Sequence, residues 1–289
     1  MQICRQRLHA PADQDNLARP KWFETFLQLS YLTHISPDEL FAACDHRFAS
    51  SLAPPHQTPV LIPWIEAASK AMLTPSLAHS RLRSTSTAQY CPTCLQSSPY
   101  HRLSWVPTAS TICLDHLCFL VDHCPQCQKR ISISEIVRRH CHTCQADLAT
   151  AEAISVNGDA PGILSQQVIQ FWLSVAQAPQ LPPGLDLPCQ PAPVLLRLLE
   201  SLSRRLLSCC QDWPGLTDHI PAATHPLQHL HPSQAYHLLR AAFTVLLNWP
   251  QGLFQFLDAC SNHDPGQTPG DRLKRLEDLR RDWFQPAWM

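Results

Sequence analysis

Four short ligand pairs concentrate the chemistry of this 289-residue chain in one stretch: Cys91/Cys94, Cys113/His116, Cys124/Cys127 and Cys141/Cys144. Two thiolates, or a thiolate and an imidazole, three positions apart can close on one ion from a single turn, and two such pairs complete a tetrahedral zinc site. Eighteen residues separate Cys94 from Cys113 and thirteen separate Cys127 from Cys141, enough in each case for a hairpin that returns its ends to one place. The spacing predicts two sequential structural Zn2+ sites, one from Cys91, Cys94, Cys113 and His116, the other from Cys124, Cys127, Cys141 and Cys144. Neither leaves a position for an activated water, so hydrolytic zinc chemistry is not expected.

A cross-braced arrangement, with 91/94 joined to 124/127 and 113/116 joined to 141/144, is the alternative. RING domains are braced in that way but carry a much shorter spacer between the second and third pairs than the seven residues LCFLVDH found here. Cys118, His123, His140 and His142 stand close to the pairs but break their spacing, and are expected to pack around the sites or orient their ligands. Leu103, Trp105, Phe119, Leu120, Ile131 and Ile133 are expected to fill the space between the sites, a small core that needs metal to hold it.

Elements on either side must position this stretch. Before it, WFETFLQLSYLT places Trp22, Phe26, Leu29 and Leu32 at helical spacing, and a second helix restarts where Ser36 can cap, Pro37 suits the first turn and Glu39 completes a capping box. WIEAASKAML and the segment opened by Thr74-Pro75 predict further short helices. After it, LSQQVIQFWLSV reads as a helix and APQLPPGLDLPCQPAP as a proline-rich linker. VLLRLLESLSRRLLSCC, with Leu195, Leu199, Leu202 and Leu206 on one face, and HPSQAYHLLRAAFTVLLNW, with Leu238, Leu239, Phe243 and Leu246, follow as amphipathic helices. WPQGLFQFLDAC and the charged DRLKRLEDLRRDWF complete the arm. The fold class expected is mainly α: a helix-turn-helix-like amino-terminal domain (1–85), a central tandem zinc-finger or ribbon region (86–150) and a carboxy-terminal helical domain (151–289).

Composition narrows the function. Eight of the fourteen cysteines lie between Cys91 and Cys144. The opening MQICRQRLHAPADQDN lacks the apolar run of a secretory signal, and no apolar run reaches the roughly 18 residues of a membrane span. A cytoplasmic chain without membrane contact is expected, its CxxC pairs binding metal rather than forming disulfides. Cys189, Cys209, Cys210 and Cys260 lack ligand spacing and read as buried thiols. Twenty-seven prolines against seven glycines weigh against glycine-rich phosphate loops and a doubly wound nucleotide-binding sheet. A formal charge of -1 counts against holding long duplex DNA unaided. Residues 81–148 are the basic part, with seven Lys/Arg against four Asp/Glu. Arg81, Arg83, Arg102, Lys129, Arg130, Arg138 and Arg139 are the candidate contacts to a phosphate backbone or an acidic partner.

The runs CPTCLQSSPYHRLSW, CLDHLCFLVDHCPQC and CHTC resemble the TniQ/TnsD family of transposon target-selection proteins. The flanking ETFLQLSYLTHISPDEL is similar to the family's amino-terminal helix-turn-helix opening, and NWPQGLFQFL to a motif of its carboxy-terminal helical region; the residues before Trp22 depart from it. The resemblance implies a bacterial cytoplasmic, non-enzymatic protein of RNA-guided transposition, most like the shorter TniQ members of CRISPR-associated transposons. Its implied partners are a CRISPR effector complex with guide RNA, of Cascade or Cas12k type, and the AAA+ ATPase TnsC, with target DNA nearby or in direct contact and a homodimer possible. A near-neutral charge agrees with that group, since guide pairing would read the sequence. The alternative within the family is a TnsD-type selector that binds a specific DNA sequence itself.

Overall fold

The computed structural model describes residues 23–43, 88–173, 192–209, 230–247 and 249–262 of the chain. The helices expected at 64–73, after Thr74-Pro75 and at 271–284, together with Arg81 and Arg83, lie outside the described residues. Two compact units divide the chain, Met1–Ser80 and Arg81–Met289. The second unit contains both the metal-ligand segment and the helices that follow it.

In the first unit, α1 (Phe23–Thr33) and α2 (Pro37–Ala42) pack on each other across a three-residue turn. His34 ends α1 in the left-handed region, φ 57°. The capping box expected at the restart is present: the Glu39 amide donates to Ser36 Oγ (3.3 Å) and the Ser36 amide to Glu39 Oε2 (3.1 Å). Leu29 and Leu32 are half-buried.

In the second unit a metal-ligand region with very short elements leads into longer helices. The elements are α3 (Pro92–Ser97), β1 (Ile112–Cys113), β2 (Cys118–Phe119) and α4 (Ile133–Arg138), then α5 (Ala160–Trp172), α6 (Ala192–Cys209), α7 (Pro232–Leu247) and α8 (Gln251–Asn262). Among the described residues, the only strands are β1 and β2, antiparallel, with Ile112 opposite Phe119 and Cys113 opposite Cys118. The mainly α reading holds. Helix α6 starts inside the proline-rich stretch, at Ala192, because Pro193 is tolerated in a first turn where its missing N–H has no partner to lose.

Helix α7 is the hub, packing on α5, α6 and α8. Its apolar residues are buried nearly all round, Leu238, Leu239, Phe243 and Leu246 among them, and the Leu195, Leu199, Leu202 and Leu206 stripe of α6 is fully buried as expected. Burying an aliphatic side chain contributes about 1.5–3 kcal/mol, so this helical core does not depend on metal for its driving force.

Helix α5 joins that core to the metal region through two buried glutamines. Gln166 Oε1 accepts from the Thr111 amide (2.9 Å), and Gln170 Nε2 donates to the Ile112 carbonyl (3.0 Å). The edge of β1 is thereby satisfied by side chains rather than by a third strand. Asp159 caps α5 by accepting from the Gly162 amide (3.2 Å), while its other oxygen accepts from the Tyr236 hydroxyl of α7 (2.9 Å).

That hydroxyl lies where a side chain at Gly162 would begin. An alanine in a helix normally gains about 0.5–1 kcal/mol over glycine. Here Gly162→Ala must displace Tyr236 and break its bond to Asp159, so it is expected to destabilise the chain by about 1–3 kcal/mol, visible as a lowered thermal midpoint; a raised midpoint would contradict this packing.

Candidate metal centre

Cys91 is the N-cap of α3: Pro92 opens the helix, and Cys91 Sγ accepts from the Cys94 amide at 3.4 Å. This turn sets the first two sulfurs side by side. Cys113 arrives on β1, and the turn between β1 and β2 supplies His116. His116 Nδ1 lies 3.6, 3.2 and 3.5 Å from the sulfurs of Cys91, Cys94 and Cys113, and Cys94 and Cys113 are 3.7 Å apart.

The second set is built from two near-identical turns. In Cys124–Cys127 the Gln128 amide donates to the Cys124 carbonyl (3.0 Å) and the Cys124 amide to Lys129 (2.8 Å). In Cys141–Cys144 the Gln145 amide donates to the Cys141 carbonyl (2.9 Å) and the Cys141 amide to Ala146 (2.9 Å). Cys124 and Cys144 sulfurs are 3.5 Å apart, Cys127 and Cys141 sulfurs 3.6 Å. Backbone amides of Cys144 and Thr143 hydrogen-bond the Cys141 sulfur and lower its pKa.

These spacings fit an ion. Zinc–sulfur bonds of about 2.3 Å and zinc–nitrogen bonds of about 2.0–2.1 Å in a tetrahedron put ligand atoms about 3.6–3.8 Å from one another. In each set all four ligand atoms lie within 4.8 Å of one another, and the grouping is sequential: Cys91, Cys94, Cys113 and His116, then Cys124, Cys127, Cys141 and Cys144. The cross-braced alternative is not the observed geometry. Burial and then repulsion from Cys113 push the Cys94 thiol up to about 11, so a binding ion must displace its proton and affinity rises with pH.

No family model, curated protein or solved structure matches this chain.

The positive-φ positions were not foreseen. Leu117, Gln128 and Gln145, each directly after the second ligand of its pair, sit at φ 46°, 58° and 62°. Glycine would be the easy residue there, and its absence hid these left-handed positions from sequence reading. At Gln128 and Gln145 the chain reverses so that the amide reaches back to the carbonyl of the pair's first ligand.

The core between the sites is partly as expected. Trp105, Leu120 and Ile131 are buried in it, joined by Tyr90, Leu95, Ile136 and Leu148. Ile133 is exposed, a correction: 133–138 is helical, so the apolar period shifts to Ile136. The signal was present in Ser132 and Glu135, whose capping box opens α4. Leu103 is only half-buried, and Phe119 turns to a second cluster against Tyr236, ring centroids 5.1 Å apart. Tyr90, fully buried, donates to the Leu148 carbonyl (3.0 Å) and so links the two halves.

Neighbouring histidines and Cys118 stay outside both sets. Cys118 Sγ approaches Cys91 Sγ at 3.5 Å. His140 Nδ1 contacts the Arg138 carbonyl (2.9 Å), and the His142 amide donates to Glu135 (2.7 Å). His123 contacts Asp122. The side chains of Cys189, Cys209, Cys210 and Cys260 are outside the described residues.

The basic candidates separate into two groups. Arg102 donates to Asp115 (2.8 Å), one residue before His116, and stacks 5.6 Å from the ring centres of Tyr100 and Trp105. It clamps the His116 turn to the PYHRLSW segment. Arg139 forms a two-pronged pair with Asp147 (3.1 and 3.0 Å) across the second site. Lys129, Arg130 and Arg138 are exposed around that site. His101 is half-buried, its pKa depressed by desolvation to about 4, and packs edge-on against Trp105.

Two outcomes follow from the geometry. Purified chain dialysed free of loose metal should retain two ions by elemental analysis, and Cys91→Ser combined with Cys113→Ser should remove only one, because both residues serve one site; loss of both ions would mean cross-bracing. Gln128→Gly should raise stability by up to about 1 kcal/mol by relieving the left-handed strain, while Gln128→Val should lower it by about 1–2 kcal/mol, measured by denaturant unfolding of the metal-loaded chain.

Proposed function

We propose that the two centres hold structural Zn2+ and that the chain is a non-catalytic adaptor in RNA-guided DNA transposition. In this reading it links a CRISPR effector complex with its guide RNA, of Cascade or Cas12k type, to the AAA+ regulator TnsC, and so directs the choice of target site for DNA integration. The observation that carries the reading is that each donor set offers four ligands from the protein itself. Such a site has no open position for a reacting water, so its ion builds a surface rather than performing chemistry.

Two further features support it. The segment PYHRLSW, which carries the resemblance to TniQ, is the piece that Arg102 clamps onto the first centre. Among the described residues, no helix is long and apolar enough to cross a membrane, which suits work on soluble assemblies.

A second reading rests on Lys129, Arg130 and Arg138, exposed beside the second centre. Those cations fit a TnsD-type selector that contacts DNA itself, with binding that weakens steeply as salt rises.

The deciding experiment is copurification of the tagged chain with a guide-loaded effector complex and with TnsC from the same operon. Stable association with both is expected. Failure of both, together with a sequence-dependent gel shift by the isolated chain, would transfer support to the DNA-binding selector.

A further inference from the structure

A third cluster of metal-binding side chains lies outside the two sulfur-rich centres. Asp122 and His123 directly precede Cys124, the first ligand of the second centre, and His231 is the last residue before α7. Asp122 Oδ1 is 3.0 Å from His123 Nδ1 and 2.9 Å from His231 Nδ1. The two rings stand edge to face, centroids 5.2 Å apart, and the three ligand atoms lie within 4.8 Å of one another. The Asp122 side chain is only 7 % exposed, whereas those of His123 and His231 are 29 % and 47 % exposed.

We propose that Asp122, His123 and His231 form a third, solvent-open site for a divalent transition-metal ion, distinct from the two closed centres. Two imidazoles and one carboxylate are the donor set that takes such ions with coordination positions to spare. With bonds of about 2.0–2.1 Å, two ligand atoms at right angles around one ion stand about 2.9 Å apart, which is the oxygen–nitrogen spacing found on both sides of Asp122. Hydrogen bonds give the same spacing without an ion, so distance alone does not choose between them.

Access and chemistry favour the ion. His123 and His231 line a cleft of about 270 Å³ that also has Glu152 and Ser233 on its wall. A site needs an entry path as well as ligands, and this cleft supplies one, with room for waters or an anionic oxygen in the remaining positions. A divalent ion would neutralise the buried carboxylate. The positive end of α7 opposes a cation beside His231. The third ion is therefore held more loosely than the sulfur-bound pair and exchanges under conditions that leave them in place. Bound, it ties the start of α7 to the metal region, across 109 positions of sequence.

The test uses the full chain with both sulfur-rich centres already filled with zinc. Co2+ added in solution should bind as one further ion per chain, with weak visible absorption and no sulfur-to-cobalt charge-transfer band, and calorimetry with Zn2+ should give the same single extra equivalent. His231→Ala and His231→Gln should abolish that equivalent while two zinc ions per chain remain, which also reports that the variants fold. An unmodified chain that takes up no third ion would overturn the proposal, as would His231 variants that bind it unchanged. Neither result bears on the two closed centres or on the adaptor reading.

Discussion

Between residues 88 and 150 the chain has almost no regular structure with which to hold itself. Its strands are two residues long and its helices six, and hairpins of that size do not persist in water on their own. What converges instead is ligand atoms: seven sulfurs and one imidazole nitrogen in two groups of four. The longer-range features of the region, from the Tyr90–Val121 bridge to the buried Tyr90–Leu148 bond, join those same loops. Metal binding that exists only in the folded state is folding free energy, and the small apolar core around Trp105, Leu120, Ile131 and Ile136 is filled around it.

The helical core differs in kind. Helices α5, α6 and α8 each bury apolar side chains against α7, which is enough to drive their association. The two halves of this unit meet through a few specific contacts: Gln166 and Gln170 on the edge of β1, Phe119 against Tyr236, and His231 on Asp122. A surface built on two metal-ligand sets is thus seated on a support packed by apolar burial. Under the adaptor function proposed above, that construction would hold partner-facing loops in one conformation without a large core beneath them.

Much of this was legible in residue types and spacing. The eight ligands and their sequential grouping follow from pair spacing and spacer length, and the buried stripes of α6 and α7 from their period. Ser36 and Glu39 announced their helix start. Other features were hidden for physical reasons. Turns that usually advertise themselves with glycine are carried by Leu117, Gln128 and Gln145. The role of Gln166 and Gln170 cannot be seen in a helical period, which marks apolar faces and says nothing about an amide aimed at a strand edge. Arg102 and Arg139, read as contacts for a partner, are engaged by Asp115 and Asp147, whose distance in sequence gives no sign of the pairing. The contacts of Gln166 and Gln170 with residues 111 and 112 run across position 150, and no helical period announces them.

Amide hydrogen exchange before and after removal of the ions tests the dependence of this region on metal most directly. The account predicts that chelation abolishes protection at Tyr90, Leu120, Val121, Cys124 and Cys141, whose amides close the metal-ligand loops, while amides within α6 and α7 keep most of theirs. Unchanged protection of those loop amides in metal-free protein would contradict it.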